Sequence, residues 1–288
     1  VKCLAKVLIL PLLHKSFMNR IAYLEHLSSW GRLLLLLSLV MIIALITSIG
    51  GLLIGKAMLG MDLTSLANVI ANPEGSEEVM FLKIYQLINQ LGIFFVPVVI
   101  YTFLVSPNPE KYLYLNRKPG LTNLIVLGML VFTVLPFINY LGELNKQMDL
   151  PASLDGLELW FREKEDQAMH LTEVFLTTNN IGGLMVNLFI VAVIPALGEE
   201  LLFRGALIRL FKDITGNVHL AVIISSFLFA AIHFQFYGFL PRFFLGMVLG
   251  YAFVMTRNLW VPIFIHFVNN AASVIVFYLH QNGYINIP

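Results

Sequence analysis

The sequence predicts an all-α protein: a polytopic transmembrane helical bundle of about seven to eight spans, with its functional centre within the bundle. Three observations carry that reading. The 288 residues are 58% hydrophobic and only 12% charged, with mean hydropathy +0.83, whereas a soluble domain carries about 25% charge. The apolar residues fall in runs near the roughly twenty needed to cross a bilayer. The gaps between runs alternate between basic and acidic. A net charge of +1 gives no reason to expect nucleic acid as a partner. The single Cys3 excludes an intrachain disulfide and a cysteine-rich metal site.

Residues 1–32 read as an N-terminal cytoplasmic segment. Its apolar run Val7 to Leu13, flanked by lysines, is a weak signal-peptide core without a cleavage site. The plainer reading places the natural start near Met18. The first span is Leu33 to Leu53, opening on five consecutive leucines. The second is about Ile84 to Val105 and the third Leu121 to Leu141. The fourth begins near Ile181 and runs toward Phe211. The fifth is Val218 to Phe234, the sixth Phe243 to Met255 and the seventh Val261 to Leu279. The fifth and sixth are short enough to be tilted or shielded by neighbours, and an eighth embedded segment would also fit. Residues 33–180 thus hold N-terminal transmembrane helices, and 181–288 a second, polar-centred core.

Loop charges orient these spans. Lys2, Lys6, Lys15, Arg20 and Arg32 precede the first, Lys111, Arg117 and Lys118 follow the second, and Arg204, Arg209, Lys212 and Arg257 fit the same side. The acidic segments, with Glu74, Glu77 and Glu78 in one and Asp155 to Glu173 in another, lie opposite, and Arg242 falls on that side against the trend. The positive-inside rule then gives a cytoplasmic N-terminus, an outer C-terminus and a multi-pass protein of the inner cell membrane. The hydrophilic insert 142–178 suggests a helix capped by Ser153, with Asp155 in its first turn and Leu157, Trp160 and Phe161 on one face. It either lies at the outer interface or forms a solvated loop helix. Gly246-x-x-x-Gly250 suits close helix packing within the chain.

Polar side chains inside the spans point to function. Val191-Ala-Val-Ile-Pro-Ala-Leu-Gly-Glu199-Glu200-Leu-Leu-Phe-Arg204 places three charges in an apolar run, each costing about 2.5–3.5 kcal/mol at the bilayer centre. Glu200 and Arg204, four apart, share a helix face and can pair, while Glu199 is turned about 100° away. Pro195 is expected to break the helix just before them. A bland alternative puts both glutamates in water at the cytoplasmic end. His233 lies deep in the apolar fifth span, and His266 and Asn270 share a face of the seventh. Each could be a packing or helix–helix hydrogen-bonding residue. Together they supply carboxylate, imidazole and amide, a set able to deprotonate a water and stabilise an oxyanion.

At these positions the chain resembles the CPBP intramembrane proteases, the family of type II CAAX prenyl endopeptidases and bacteriocin-processing and immunity proteins. Glu199-Glu200-x-x-x-Arg204, Phe229-x-x-x-His233 and His266-x-x-x-Asn270 match its three motifs in order. The resemblance covers about Ile181 to Ile275. It implies that Glu199 and His233 activate a water, that Glu200 assists or holds Arg204, and that His266 and Asn270 form the oxyanion site. No cofactor is certain. Zinc is one option, since Glu199, His233 and His266 could ligate it and leave a fourth position for water. The implied substrate is a membrane-associated protein or peptide, prenylated or bacteriocin-like, entering from the membrane or the cytoplasm. A non-proteolytic scaffold or immunity protein of the same fold is the alternative, and a proton-coupled transporter a third. For alternation of the spans to bring Glu199 and His233 together, the fourth helix must continue well past the glutamates.

Overall fold

A computed structural model describes residues 23–286, and every regular element among them is helical. Cys3, the run Val7 to Leu13 and the start near Met18 lie outside the described residues. The helices are α1 (Ser29–Leu59), α2 (Leu63–Ala71), α3 (Ser76–Val105), α4 (Pro109–Tyr112), α5 (Leu121–Lys146), α6 (Asp155–Leu176), α7 (Ile181–Thr215), α8 (Val218–Ala231), α9 (Phe236–Thr256, entered through a 3₁₀ turn) and α10 (Trp260–Gln281). Five of them, α1, α3, α7, α9 and α10, are long and apolar enough to cross a bilayer. The 26-residue α5 covers the expected third span, and the shorter, apolar α8 covers most of the fifth. The protein is a multi-pass helical membrane protein.

Local chemistry sets the boundaries. Ser28 accepts a hydrogen bond from the Gly31 N–H at the head of α1, and Gly60 ends that helix at φ 67°, a left-handed conformation that glycine takes without steric cost. Asp62 caps α2 in the acidic connection. α6 departs from expectation at its start. Ser153 lies inside a 3₁₀ turn, Ala152–Leu154, and α6 begins at Asp155 with no side-chain cap. Asp155 and Glu158 occupy its first turn, where they favourably meet the helix dipole.

α7 is not broken. It runs 35 residues through Pro195, about 52 Å at 1.5 Å per residue. Proline removes an N–H and pushes its ring against the carbonyl four residues earlier. The chain absorbs this by widening into a π-helical stretch, Leu188–Val193, just ahead of Pro195. α3 repeats the device, with a π stretch at Leu91–Phe95 just ahead of Pro97. A third π stretch, Leu201–Leu207, follows the glutamates.

α7 passes through the middle of the bundle. At Gly198 it meets α3 so closely that an added Cβ would lie 2.9 Å from Phe94 Cβ. Phe203, Ala206 and Leu210 of α7 pack with Val98 and Tyr101 of α3 and Val222 and Phe229 of α8 in the main core. α8 and α9 interlock at the two glycines of Gly246-x-x-x-Gly250. A Cβ on Gly246 would meet Ser226 Cβ at 3.0 Å, and one on Gly250 would meet Val222 Cγ1 at 2.8 Å. Leu34, Met41, Ile42, Leu45 and Ile46 of α1 are exposed, as a lipid-facing helix side requires.

Candidate active site

Glu199 stands 18 residues after Ile181 and 16 before Thr215, halfway along α7. The continuous helix therefore places it deep in the bundle rather than in water at one end. Glu199, Glu200, Arg204 and His266 are all buried. Arg204 Nη1 donates to Glu200 Oε1 at 2.6 Å, the pairing expected from their spacing. Its Nη2 donates to the Gly246 carbonyl at 3.0 Å, which ties α7 to α9. The Phe229 ring lies 4.7 Å from the guanidinium carbon, a cation–π contact that replaces part of the lost hydration.

His266 enters from α10. Its Nδ1 lies 2.9 Å from Glu200 Oε1. A carboxylate only accepts, so the proton is on Nδ1 and Nε2 is left to face the site. Nε2 lies 3.9 Å from Glu199 Oε2. Glu200 thus holds both Arg204 and His266 on a single oxygen, and its Oε2 is buried without a hydrogen-bond partner.

His233 is not inside an apolar span. α8 ends at Ala231, and His233 sits in the turn that follows, before Phe234 at φ 52°. Its Nδ1 donates to the Phe229 carbonyl at 2.8 Å, so its Nε2 is the free ring nitrogen. Phe229 packs against both imidazoles, edge-on to each, with centroids 5.4 Å from His233 and 5.8 Å from His266. Asn270 is turned to another task. Its Nδ2 donates to the Val191 carbonyl at 3.1 Å. Pro195 has no N–H, so Val191 C=O lacks its α-helical donor, and the Asn270 amide supplies one. Ser225 Oγ of α8 donates to Phe203 C=O at 2.9 Å, a carbonyl in the π stretch after the glutamates that also accepts the Ile208 N–H. The structure therefore brings Glu199, Glu200, Arg204 and His266 into one cluster, packs His233 against the same Phe229 ring that His266 touches, and engages Asn270 with α7 backbone.

Two residues emerge that sequence patterns did not connect to the site. Gln90 of α3 reaches Glu199 with its side chain, while its own Oε1 is buried without a partner. It lies in the N-terminal half, over a hundred residues from Glu199, at the last position before the π stretch Leu91–Phe95. Arg242 of α9 donates to Gln235 Oε1 at 2.5 Å, and Gln235 Nε2 donates to Glu165 Oε1 of α6 at 3.2 Å. That relay fastens the amphipathic insert over the turn carrying His233, where Phe161 also stacks on Phe236 at 4.8 Å. Both histidines spend Nδ1 on other partners, and among the described residues no three His, Cys, Asp or Glu side chains form a metal-holding group. Each histidine keeps Nε2 for the site, so Glu199, His233 and His266 remain the residues that would hold a metal ion were one to bind.

Residues 181–272, about a third of the chain, match the family described as "Rce1-like: Type II CAAX prenyl endopeptidase Rce1-like". A Staphylococcus aureus (strain USA300) protein, "Membrane-embedded CAAX protease MroQ", is 40% identical over 94 residues, 31% of this chain. The match spans 38% of that relative's length. No solved structure matches the chain.

Proposed function

We propose that this chain, whose residues 181–272 are a type II CAAX prenyl endopeptidase Rce1-like segment, is an intramembrane endopeptidase of the inner cell membrane. It hydrolyses a peptide bond of a membrane-associated protein. The observation that carries this reading is the pair Glu199 Oε2 and His266 Nε2, 3.9 Å apart in a buried centre. With the Nδ1 proton on the Glu200 side, a neutral His266 and an ionised Glu199 make both atoms acceptors. Two acceptors facing each other call for a molecule with two hydrogens, and a water donates one to each.

Glu199 then takes one proton from that water as general base. The water oxygen forms a bond to the peptide carbonyl carbon. The C–N bond breaks, and the proton held by Glu199 passes to the leaving amine. Glu200 orients His266, and Arg204 offsets the charge of Glu200 (a carboxylate left alone there would be costly). His233, with its free Nε2, packs on the same Phe229 ring as His266 and assists Glu199 in the proton transfers. Water activation by Glu199 needs no metal ion.

The test uses the full chain in liposomes with a candidate membrane-anchored peptide substrate and separation of products by mass. Glu199→Gln and His233→Ala are expected to lower kcat at least a hundredfold, the range of general acid–base catalysis. Wild-type rates in either variant would refute the assignment. A chelator such as 1,10-phenanthroline is expected to leave the rate within twofold, and loss of activity restored by added zinc would replace this mechanism with a metal-dependent one.

A further inference from the structure

The loop between α3 and α5 folds against the end of α7 and bounds a cavity of about 290 Å³. Its polar lining comes from Ser106, Asn108, Lys111, Asn116, Arg117 and Arg209. Three of these are cations, and no carboxylate lines the cavity. Glu110 and Asp213 are the acids nearest in sequence, and neither is part of the wall. Among the described residues no ion pair engages Lys111, Arg117 or Arg209.

The wall is held in place. Arg209 Nη1 donates to the Tyr112 carbonyl at 3.1 Å, and its guanidinium carbon sits 4.1 Å from the Tyr112 ring centre. Tyr112 is buried, with its hydroxyl 3.0 Å from that of Tyr101. Tyr114, also in the wall, holds φ at 55°, in the left-handed region that bulky residues rarely occupy. Its carbonyl accepts the Leu259 N–H at 3.2 Å, which pins the loop to the start of α10. A strained, doubly anchored loop around uncompensated cations is the kind of local cost that a ligand explains.

The position names the ligand class. α3 ends at Val105 and α5 begins at Leu121, so the cavity lies where spans stop. Trp260 Nε1 donates to the Leu115 carbonyl beside it at 3.1 Å, and tryptophan concentrates at the membrane–water boundary. Lys118, Lys212 and Arg257 flank the same end of the bundle, the basic end that faces the cytoplasm and its anionic leaflet. The volume is at the lower limit of small-molecule pockets. It admits a phosphate with a short polar substituent and leaves acyl chains in the bilayer.

We propose that this cavity binds the phosphate of an anionic phospholipid headgroup. Lys111, Arg117 and Arg209 supply charge, and Ser106, Asn108 and Asn116 supply neutral hydrogen bonds. The site lies apart from Glu199 and does not depend on the protease reading. Purified full-length protein in neutral detergent is titrated with dioctanoyl-phosphatidylglycerol, dioctanoyl-phosphatidylcholine and inorganic phosphate, with binding followed by thermophoresis. The phosphatidylglycerol lipid is expected to bind at least tenfold more tightly than the other two. Arg117→Gln and Arg209→Gln are each expected to weaken it about fivefold, the effect of one cation near a lipid surface. Lys118→Gln, outside the wall, is expected to leave it unchanged. Arg209 also packs on Tyr112, so Arg117→Gln, whose side chain makes no ion pair, carries the test if Arg209→Gln misfolds. Equal binding of the phosphatidylcholine lipid, undiminished binding in Arg117→Gln, or equal affinity for inorganic phosphate would each overturn the proposal.

Discussion

At the scale of single residues, the buried charges form one connected set, and removing different members has different consequences. Arg204 is about 1% exposed, and its guanidinium answers Glu200, the Gly246 carbonyl and the Phe229 ring. Arg204→Leu removes the cation that offsets buried Glu200 and leaves it only His266 as a partner, and is expected to cost about 3–5 kcal/mol of stability, read by equilibrium unfolding in mixed micelles. Gln90 behaves differently, because it touches Glu199 rather than the packing of the core. Gln90→Leu is expected to lower kcat by about tenfold to a hundredfold with KM steady, since small displacements of a reacting group cost rate rather than binding. An equal rise in KM would assign Gln90 to substrate binding instead. The Glu200–Arg204 pair was legible from spacing alone, because four residues is a fixed geometric relation on a helix. Gln90 was not, because its meaning arises only where α3 crosses α7 at Gly198, and no local pattern encodes that crossing.

At the scale of elements, the polar groups freed by irregular helix geometry are taken up by neighbouring helices. Pro195 reads from sequence as a helix breaker, but its missing N–H has a more specific consequence, the Asn270 bond to Val191 C=O. Asn270→Ala is expected to lose about 1 kcal/mol. In a Pro195→Ala background, where the helix supplies its own donor, most of that loss should vanish, and a double-mutant cycle measures the difference. The end of α8 was invisible to hydropathy because Ile232, His233 and Phe234 continue the apolar pattern; backbone conformation alone stops the helix at Ala231. α6 offers a pH test. Glu158 accepts hydrogen bonds from the Leu150 N–H at 2.8 Å and from Arg162, and these hold its carboxyl below the usual 4.5. Its stabilisation is therefore present above that pH and is lost as pH falls through the depressed value. Limited proteolysis within 147–155 should accelerate as pH falls below the usual 4.5 in the wild type and show no such step in Glu158→Gln.

At the scale of the whole molecule, two modes of attachment assemble the bundle. The N-terminal helices join through glycine. Added Cβ atoms on Gly51 and Gly92 would meet Tyr85 and Thr47 at 2.7 Å or less, and Gly55 accommodates the Phe81 ring. Gly92→Val, which has to displace Thr47 from its own bond to the Ile43 carbonyl, is expected to cost about 1–3 kcal/mol in the same unfolding assay. Composition made the all-helical membrane class legible, because apolar run length follows directly from bilayer thickness. The convergence of the motifs was less legible, since it depended on whether α7 survived Pro195. The other half is joined by side-chain bonds: Arg204 to α9, His266 and Asn270 from α10, and Ser225 from α8 all meet α7. In a solvent as apolar as the helices themselves, such bonds and close packing replace the hydrophobic effect as the cohesive force. The Arg204 anchor on the Gly246 carbonyl then has an evolutionary meaning. On the proposed reading, a descendant that abandoned cleavage would still need Glu200, Arg204 and His266 to assemble, so selection for folding alone would preserve most of the motif. Glu199 is the position where a silent relative would first drift.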